Sequence, residues 1–189
     1  MQPHPKPFVD LLLWLAWALP ISVHAQPYRQ ELSGVVQRVV DGDTLVLLDA
    51  TQTRRTLRLA GIDAPESRMP HGQQAKAYLA ALVLGHEVVA TTGKPDRYGR
   101  TIATVKVDGN DANMAMIQAG LAWHYTKYAK EQPTGEAARY AAAQQLAHVH
   151  GLGLWQEECP IAPWTLRQRH KSTHVKMTIE ISTCACPCL

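Results

Sequence analysis

An Asp-Gly-Asp turn at residues 41–43 separates two short runs of β-branched residues and leucine, at residues 33–40 and 45–48. Asp-Gly is a strong turn signal, because both residues tolerate the backbone conformations of a tight reversal. A third run, at residues 54–59, alternates polar and apolar side chains after the polar loop 49–53, as a half-buried strand does. The pattern therefore predicts three consecutive antiparallel strands.

The rest of the chain adds two strands and about three helices to this meander. Apolar residues at helical spacing predict a helix over residues 72–84, and Gly85 supplies its stop. Two further strands are predicted at residues 87–91 and 101–107, and two further helices at 111–119 and 134–150. The order β-β-β-α-β-β-α-α indicates an α+β protein built on a small closed five-stranded barrel of the OB type.

One domain, residues 28–164, accounts for this pattern without an internal repeat or a low-complexity linker. Its length suits a single hydrophobic core. Residues 165–189 are polar and then rich in cysteine, and they have no place in the predicted barrel. We therefore expect a single domain followed by a tail without an assigned role.

The first 25 residues are typical of an export signal. Residues 11–23 are apolar but too short to span a bilayer, which needs about 20 apolar residues. Residues 23–25 offer small side chains where a signal peptidase reads them. An uncleaved membrane anchor is the main alternative. We expect a secreted or periplasmic protein, a monomer with no stable membrane association after signal cleavage.

The cysteines are unevenly placed, with Cys159 alone and Cys184, Cys186 and Cys188 crowded at the end. In an exported protein Cys159 is able to form a disulfide with one of the other three. Three cysteines at alternate positions also suit a soft metal, although no histidine or second pair completes a zinc spacing. An irregular tail without a function is the third alternative.

Carboxylates gather at one end of the first predicted hairpin. If residues 49–53 are its loop, Asp43 faces about Ala60 and lies within a few residues of Asp63. The backbone carbonyl of Ala64, in the turn before Pro65, offers a third oxygen. An oxygen-rich site of this kind suits calcium better than zinc, which prefers nitrogen and sulfur ligands.

Arginines and a further acid accompany these carboxylates. Arg58 lies on the third strand and Arg100 just before the fifth, and a guanidinium is suited to bind two oxygens of a phosphate at once. Glu66 follows the Asp63 turn, where it is able to accept a proton from water or to orient it. Each residue also has an ordinary interpretation, as a turn former or a solvent-facing charge. Their joint presence favours a metal-dependent phosphodiesterase.

Three segments carry a resemblance to a known family, at residues 40–44 (VDGDT), 58–66 (RLAGIDAPE) and 96–100 (DRYGR). They resemble the signature segments of the thermonucleases, the staphylococcal nuclease-like family, and the similarity extends over about residues 33–164. The resemblance implies an OB-fold and calcium-dependent hydrolysis of DNA and RNA to products with 3′-phosphate ends.

By position, the resemblance assigns calcium binding to Asp43, Asp63 and the carbonyl of Ala64. Family members often have threonine in place of Ala64, but the backbone oxygen is the same. Arg58 and Arg100 match the phosphate-binding arginines. In the same way Glu66 matches the catalytic glutamate.

Aromatic residues complete the implied substrate groove. Tyr98 matches a tyrosine that lines the groove, and Tyr125 and Tyr128 fall where the family has other substrate-facing tyrosines. Their rings are able to stack on bases of DNA or RNA. Trp123 beside them is expected to pack in the core.

Two functions from different classes fit these residues: a secreted nuclease, or an OB-fold module that binds single-stranded nucleic acid without cutting it. A degenerate, non-catalytic copy should have lost an acid or an arginine, and this chain has lost none of them. We therefore favour the enzyme. Strand alternation places Arg58 and Asp63 on opposite faces, so the sequence also predicts an irregularity near Gly61.

Overall fold

Strands that pair around a ring dominate the computed structural model, which describes residues 30–172. The longer strands are β1 (Gln30–Asp41), β2 (Thr44–Asp49), β3 (Arg54–Leu59), β5 (Glu87–Pro95) and β6 (Thr101–Val107). The two-residue strands are β4 (Ile62–Asp63), β7 (Asn110–Asp111) and β8 (Trp123–His124). The helices are α1 (Gly72–Val83), α2 (Ala112–Gln118), α3 (Glu136–Val149) and α4 (Pro163–Ser172), with 3₁₀ helices at Thr126–Glu131 and Gly153–Gln156.

The five longer strands form a closed barrel in the order β3-β2-β1-β5-β6. Neighbours in this order are antiparallel, and a parallel pairing of β3 with β6 closes the ring. In that closing contact Leu57 aligns with Thr101, and Arg58 aligns with Ile102. The predicted five-stranded α+β barrel of the OB type is confirmed. Closure brings Arg58 close to the residue that precedes Thr101, which is Arg100.

The barrel is filled by apolar side chains that recur at every second residue of the strands and about once per turn of the helices. Alternate residues of the strands point inward, and Leu45, Leu47 and Leu57 are completely buried. Helix α1 packs on this core with residues one turn apart, Leu79 and Val83 among them, which are also fully buried. Burial of each such side chain contributes about 1.5–3 kcal/mol. The core therefore fixes the strands from which the polar residues of the barrel rim project.

The β2–β3 hairpin carries Asp43 at its start and Arg58 near its end. Thr44 faces Arg58, and the amide of Leu59 donates to the carbonyl of Asp43 at 2.8 Å. Asp43 therefore lies opposite Leu59, one residue from the approximate position near Ala60 that the sequence predicts. Leu48 pairs with Arg54, which is the register that a loop of residues 49–53 gives, and the Asp49 carboxylate accepts hydrogen bonds from the amides of Thr51 and Thr53 in that loop.

The predicted irregularity near Gly61 is confirmed. Strand β3 ends at Leu59, and the chain turns before β4 begins at Ile62. Gly61 takes φ +70°, in the left-handed region that favours glycine. Strand β4 then pairs with β8, which sets Asp63 against the backbone of Trp123. Asp63 is thus held by a strand pair that the sequence pattern did not indicate.

The fold continues past residue 164, where the predicted domain ends. Helix α4 covers residues 163–172, part of which the sequence pattern left in an unassigned tail. Cys159, shortly before this helix, is disulfide-bonded. The predicted export signal and the other three cysteines lie outside the described residues. Within residues 30–172, no helix has the length and apolar character needed to cross a bilayer.

Candidate active site

Arg58 is the buried centre of a cluster at the barrel rim. Its Nη1 donates to the carbonyls of Leu59 and Ile62, each at 2.9 Å. Its Nη2 lies 3.0 Å from Oδ2 of Asp43 and 2.8 Å from Oδ1 of Asp63. Both acids therefore contact one nitrogen, and their oxygens are no further apart than the sum of these distances. The structure brings together the three residues that the sequence predicted to meet.

Asp43 is oriented by its neighbours on both carboxylate oxygens. Oδ2 accepts a hydrogen bond from the amide of Ala64 at 2.9 Å, and Oδ1 accepts one from the hydroxyl of Thr44 at 2.8 Å. Gly42 allows this close approach, because a Cβ on it would lie 2.8 Å from the Cβ of Ala64 and 2.6 Å from that of Ala75. The turn and the start of the next loop are thereby packed together, with the backbone of Ala64 beside the carboxylate.

Asp63 is buried as a charged group, with 1% of its surface exposed. Burial raises its pKa, the positive charge of Arg58 opposes that rise, and the neighbouring carboxylate of Asp43 adds to it; the net pKa lies above the ordinary value. A second guanidinium, that of Arg167 on α4, pairs with Oδ2 of Asp63. Two adjacent buried acids of this kind favour a cation between or beside them.

The donor set fits a hard cation such as calcium. Asp43 and Asp63 present carboxylate oxygens within reach of one positive group, and Ala64 is held beside them. In the described part of the chain no group of three acidic, histidine or cysteine side chains is arranged to hold a metal ion. The predicted set requires only two carboxylates and a carbonyl. The guanidinium of Arg167 already pairs with Asp63 in this structure.

Arg100 precedes β6, the strand whose parallel pairing with β3 closes the barrel, and it reaches the cluster from that side. Its Nη1 lies 3.4 Å from the hydroxyl of Thr44, which in turn donates to Asp43. Its Nη2 pairs with Asp96 at 2.7 Å. Burial raises the pKa of Asp96, but hydrogen bonds from the Arg100 backbone and side chain and from the Tyr98 amide outweigh this effect and lower it. Asp96 therefore stays charged and holds the turn that presents Arg100.

Glu66 stands at the solvent edge of the same cluster. Its side chain is 55% exposed, and Oε1 lies 3.8 Å from Nη1 of Arg167. The loop that carries it is fixed by Asp41, whose Oδ1 accepts hydrogen bonds from the hydroxyl and the amide of Ser67 at 2.5 and 3.2 Å. Glu66 is thus exposed to water on an anchored backbone, as a residue that handles a water proton should be.

The predicted substrate tyrosines lie in two places. Tyr98 is 68% exposed, and the guanidinium carbons of Arg97 and Arg100 lie 4.8 and 5.4 Å from its ring centre. Tyr125 and Tyr128 contact each other in a separate pair, with ring centres 5.6 Å apart. The structure therefore brings Tyr98, and not the other pair, into contact with a predicted catalytic arginine.

Sequence reasoning missed two residues of this region. Asp41 was interpreted only as a turn former, yet it anchors the loop of Glu66 through Ser67. Arg167 was left in the unassigned tail, yet it contacts both Asp63 and Glu66. The Asp-x-Asp pattern of residues 41–43 was a signal for the first. For Arg167 no local signal existed, because its partners lie about a hundred positions earlier in the chain.

Several known proteins are similar to this chain over most of its length. The family described as staphylococcal nuclease homologue matches residues 56–157. A micrococcal nuclease of Shigella flexneri is 36% identical over 164 residues, covering 82% of this chain and 91% of that protein. Protein ParB of Escherichia coli is 36% identical over 169 residues (83% and 91%). An uncharacterized endonuclease of Haemophilus influenzae is 38% identical over 144 residues (76% and 77%). The chain therefore belongs to the staphylococcal nuclease homologue family and is a nuclease-type hydrolase.

Proposed function

We propose that this protein is a calcium-dependent nuclease that hydrolyses phosphodiester bonds of DNA, RNA or both. The observation that supports this most strongly is the contact of one guanidinium, that of Arg58, with both Asp43 and Asp63. Opposite charges converge there at a rim that is open to solvent through Glu66. Hydrolysis of a phosphodiester uses both signs of charge. The acid pair would bind the cation, and the arginines would bind the same phosphate group.

Calcium would be held by Asp43, Asp63 and the carbonyl of Ala64, where it would neutralise phosphate charge and lower the pKa of a bound water. Arg58 has five N–H donors, of which the structure uses two on carbonyls and one on Asp63, while the same Nη2 forms an ion pair with Asp43. Once the acids are engaged elsewhere, its Nη2 donors become available for a phosphate oxygen. Its two carbonyl bonds keep the guanidinium in place during this exchange.

Arg100 and Glu66 complete the proposed reaction. Arg100 donates to a second non-bridging oxygen of the phosphate from its position beside Thr44. Glu66 accepts a proton from the attacking water, whose oxygen forms the new bond to phosphorus while the bond to the leaving sugar oxygen breaks, and the leaving oxygen takes up a proton from solvent water. Tyr98, exposed beside Arg100, offers a ring on which a neighbouring base stacks.

The calcium assignment predicts that hydrolysis of DNA by the purified protein stops when a calcium chelator is added. We expect a loss of about a hundred-fold or more, because one charge-stabilising contact is typically worth that much. Excess calcium should restore the rate, as followed by release of acid-soluble nucleotides. Asp63→Asn, matched in size, should have a low rate with or without the chelator. A wild-type rate indifferent to the chelator would reject the assignment.

We further propose that the protein is exported and acts in the periplasm or outside the cell. The apolar residues 11–23 and the small residues at 23–25 support this. We expect the protein recovered from the periplasm or medium to begin at Gln26 and to elute as a monomer. N-terminal sequencing and size-exclusion chromatography check this. Full-length protein that sediments with membranes would support the anchor instead.

A further inference from the structure

Helix α4 lies across the acids of the site. Nη2 of Arg167 pairs with Oδ2 of Asp63, and Nη1 lies 3.8 Å from Oε1 of Glu66. The guanidinium of an arginine keeps its proton at neutral pH. Arg167 therefore places a permanent positive charge between a proposed calcium ligand and the proposed proton acceptor.

The start of the same helix lies on the aromatic residues. The ring centre of Trp164 is 5.2 Å from that of Tyr125 and 5.7 Å from that of Trp123. Trp123 is buried and packs in turn on Trp155 at 4.4 Å. Helix α4 is thus docked at two points, an apolar contact through Trp164 and an ionic contact through Arg167. The apolar contact covers part of Tyr125, a predicted stacking ring.

The contact of Arg167 with the acids reduces the negative charge that the site offers to a metal ion. Asp43, Asp63 and Glu66 carry three negative charges, which Arg58 and Arg167 reduce to one. Without Arg167, two negative charges would remain, which match a divalent cation. A carboxylate oxygen that already accepts from a guanidinium is less available to a metal ion, because the two cations repel each other at this distance.

We propose that α4 is an autoinhibitory strap in which Arg167 competes with calcium for Asp63, so that calcium binding releases the helix and uncovers Tyr125. The proposal rests on the calcium assignment of the proposed function. The apparent affinity for calcium is then reduced by the fraction of molecules in which the strap is open. Arg167 is 39% exposed, so solvent moderates the pairing.

Isothermal titration of calcium into the metal-stripped full-length protein tests the competition. We expect Arg167→Gln to bind calcium at least about five-fold more tightly than wild type, as a strap that is mostly closed requires. Arg139→Gln removes the same charge from an exposed position of α3 and should bind like wild type. Equal or weaker binding by Arg167→Gln would overturn the strap.

Trp164→Ala separates a strap from a simple charge effect, because it loosens the helix without altering any charge. A strap predicts that this variant too binds calcium more tightly than wild type, whereas electrostatic repulsion alone predicts an unchanged affinity. Hydrogen exchange gives a second readout that does not depend on activity. Calcium should accelerate amide exchange in residues 163–172 of the wild-type protein, and slower or unchanged exchange there would contradict release of the helix.

Asp63→Asn distinguishes failure of the strap from failure of the calcium assignment. If wild type binds calcium, Asp63→Asn does not, and Arg167→Gln shows no gain, the strap is wrong while the proposed function stands. If neither wild type nor Arg167→Gln binds calcium, the assignment itself is wrong and the strap falls with it. Circular dichroism of each variant confirms that the comparison is between folded proteins.

Discussion

Replacement of Glu66 by glutamine should leave the protein folded and lower kcat by about 10²–10⁴-fold, the range typical of a lost general base. Glutamine keeps the size and the hydrogen-bonding reach of the side chain but does not accept a proton at neutral pH. Because the Glu66 side chain is more than half exposed, few packing contacts depend on its charge. The measurement is single-turnover hydrolysis of DNA at saturating calcium, beside the urea midpoint of each protein.

Glu87→Gln provides the matched control for this variant. Glu87 begins β5 at an exposed position, so the same chemical change should leave kcat within about two-fold, as is usual for surface substitutions. An unchanged KM in Glu66→Gln would place the loss in the chemical step. If Glu66→Gln turned over DNA at nearly the wild-type rate, Glu66 would have no place in the reaction.

The largest effect on stability is expected at Arg58. Arg58→Ala should lower the free energy of unfolding by about 3–5 kcal/mol, because it leaves two buried carboxylates without their shared partner. Asp63 is almost inaccessible to water and Asp43 nearly so, and two backbone carbonyls also lose their donor. Urea denaturation in chelator at neutral pH measures the loss, and hydrolysis should be abolished as well.

Arg55→Ala is the control on the same strand. Arg55 also pairs with an aspartate, at 3.0 Å from Asp49, but its side chain is 49% exposed. Such pairs contribute below about 1 kcal/mol. Calcium should restore part of the stability of Arg58→Ala, since a cation at the acids replaces the missing charge. Equal losses in the two variants would show that Arg58 does not hold the acids together.

The sequence predicted most of what local patterns control. The order of the longer strands and helices along the chain, the barrel class and the turn at Gly61 follow from turn residues and from periods of two and 3.6 residues, which act over a few positions. The meeting of Asp43 with Asp63 followed from hairpin geometry, and Asp43 lies one residue from its approximate predicted position.

The parts that escaped prediction depend on contacts between distant segments. The two-residue pairing of β4 with β8 has no periodicity of its own, although it fixes Asp63 beside Trp123. Helix α4 is mostly polar, so its docking depends on single side chains, Trp164 and Arg167, and not on an apolar face. A motif search therefore finds the acids and misses Arg167, which contacts Asp63 and Glu66.

The parallel seam between β3 and β6 has a consequence for the cell. Arg58 and Arg100 come from segments that meet only when β3 pairs with β6, since that pairing alone joins these two strands. A chain that passes through a translocation channel in extended form lacks the pairing of β3 with β6. If the protein is exported as we propose, hydrolytic activity would arise only after the chain has crossed the membrane, and the DNA of the producing cell would not meet the folded nuclease.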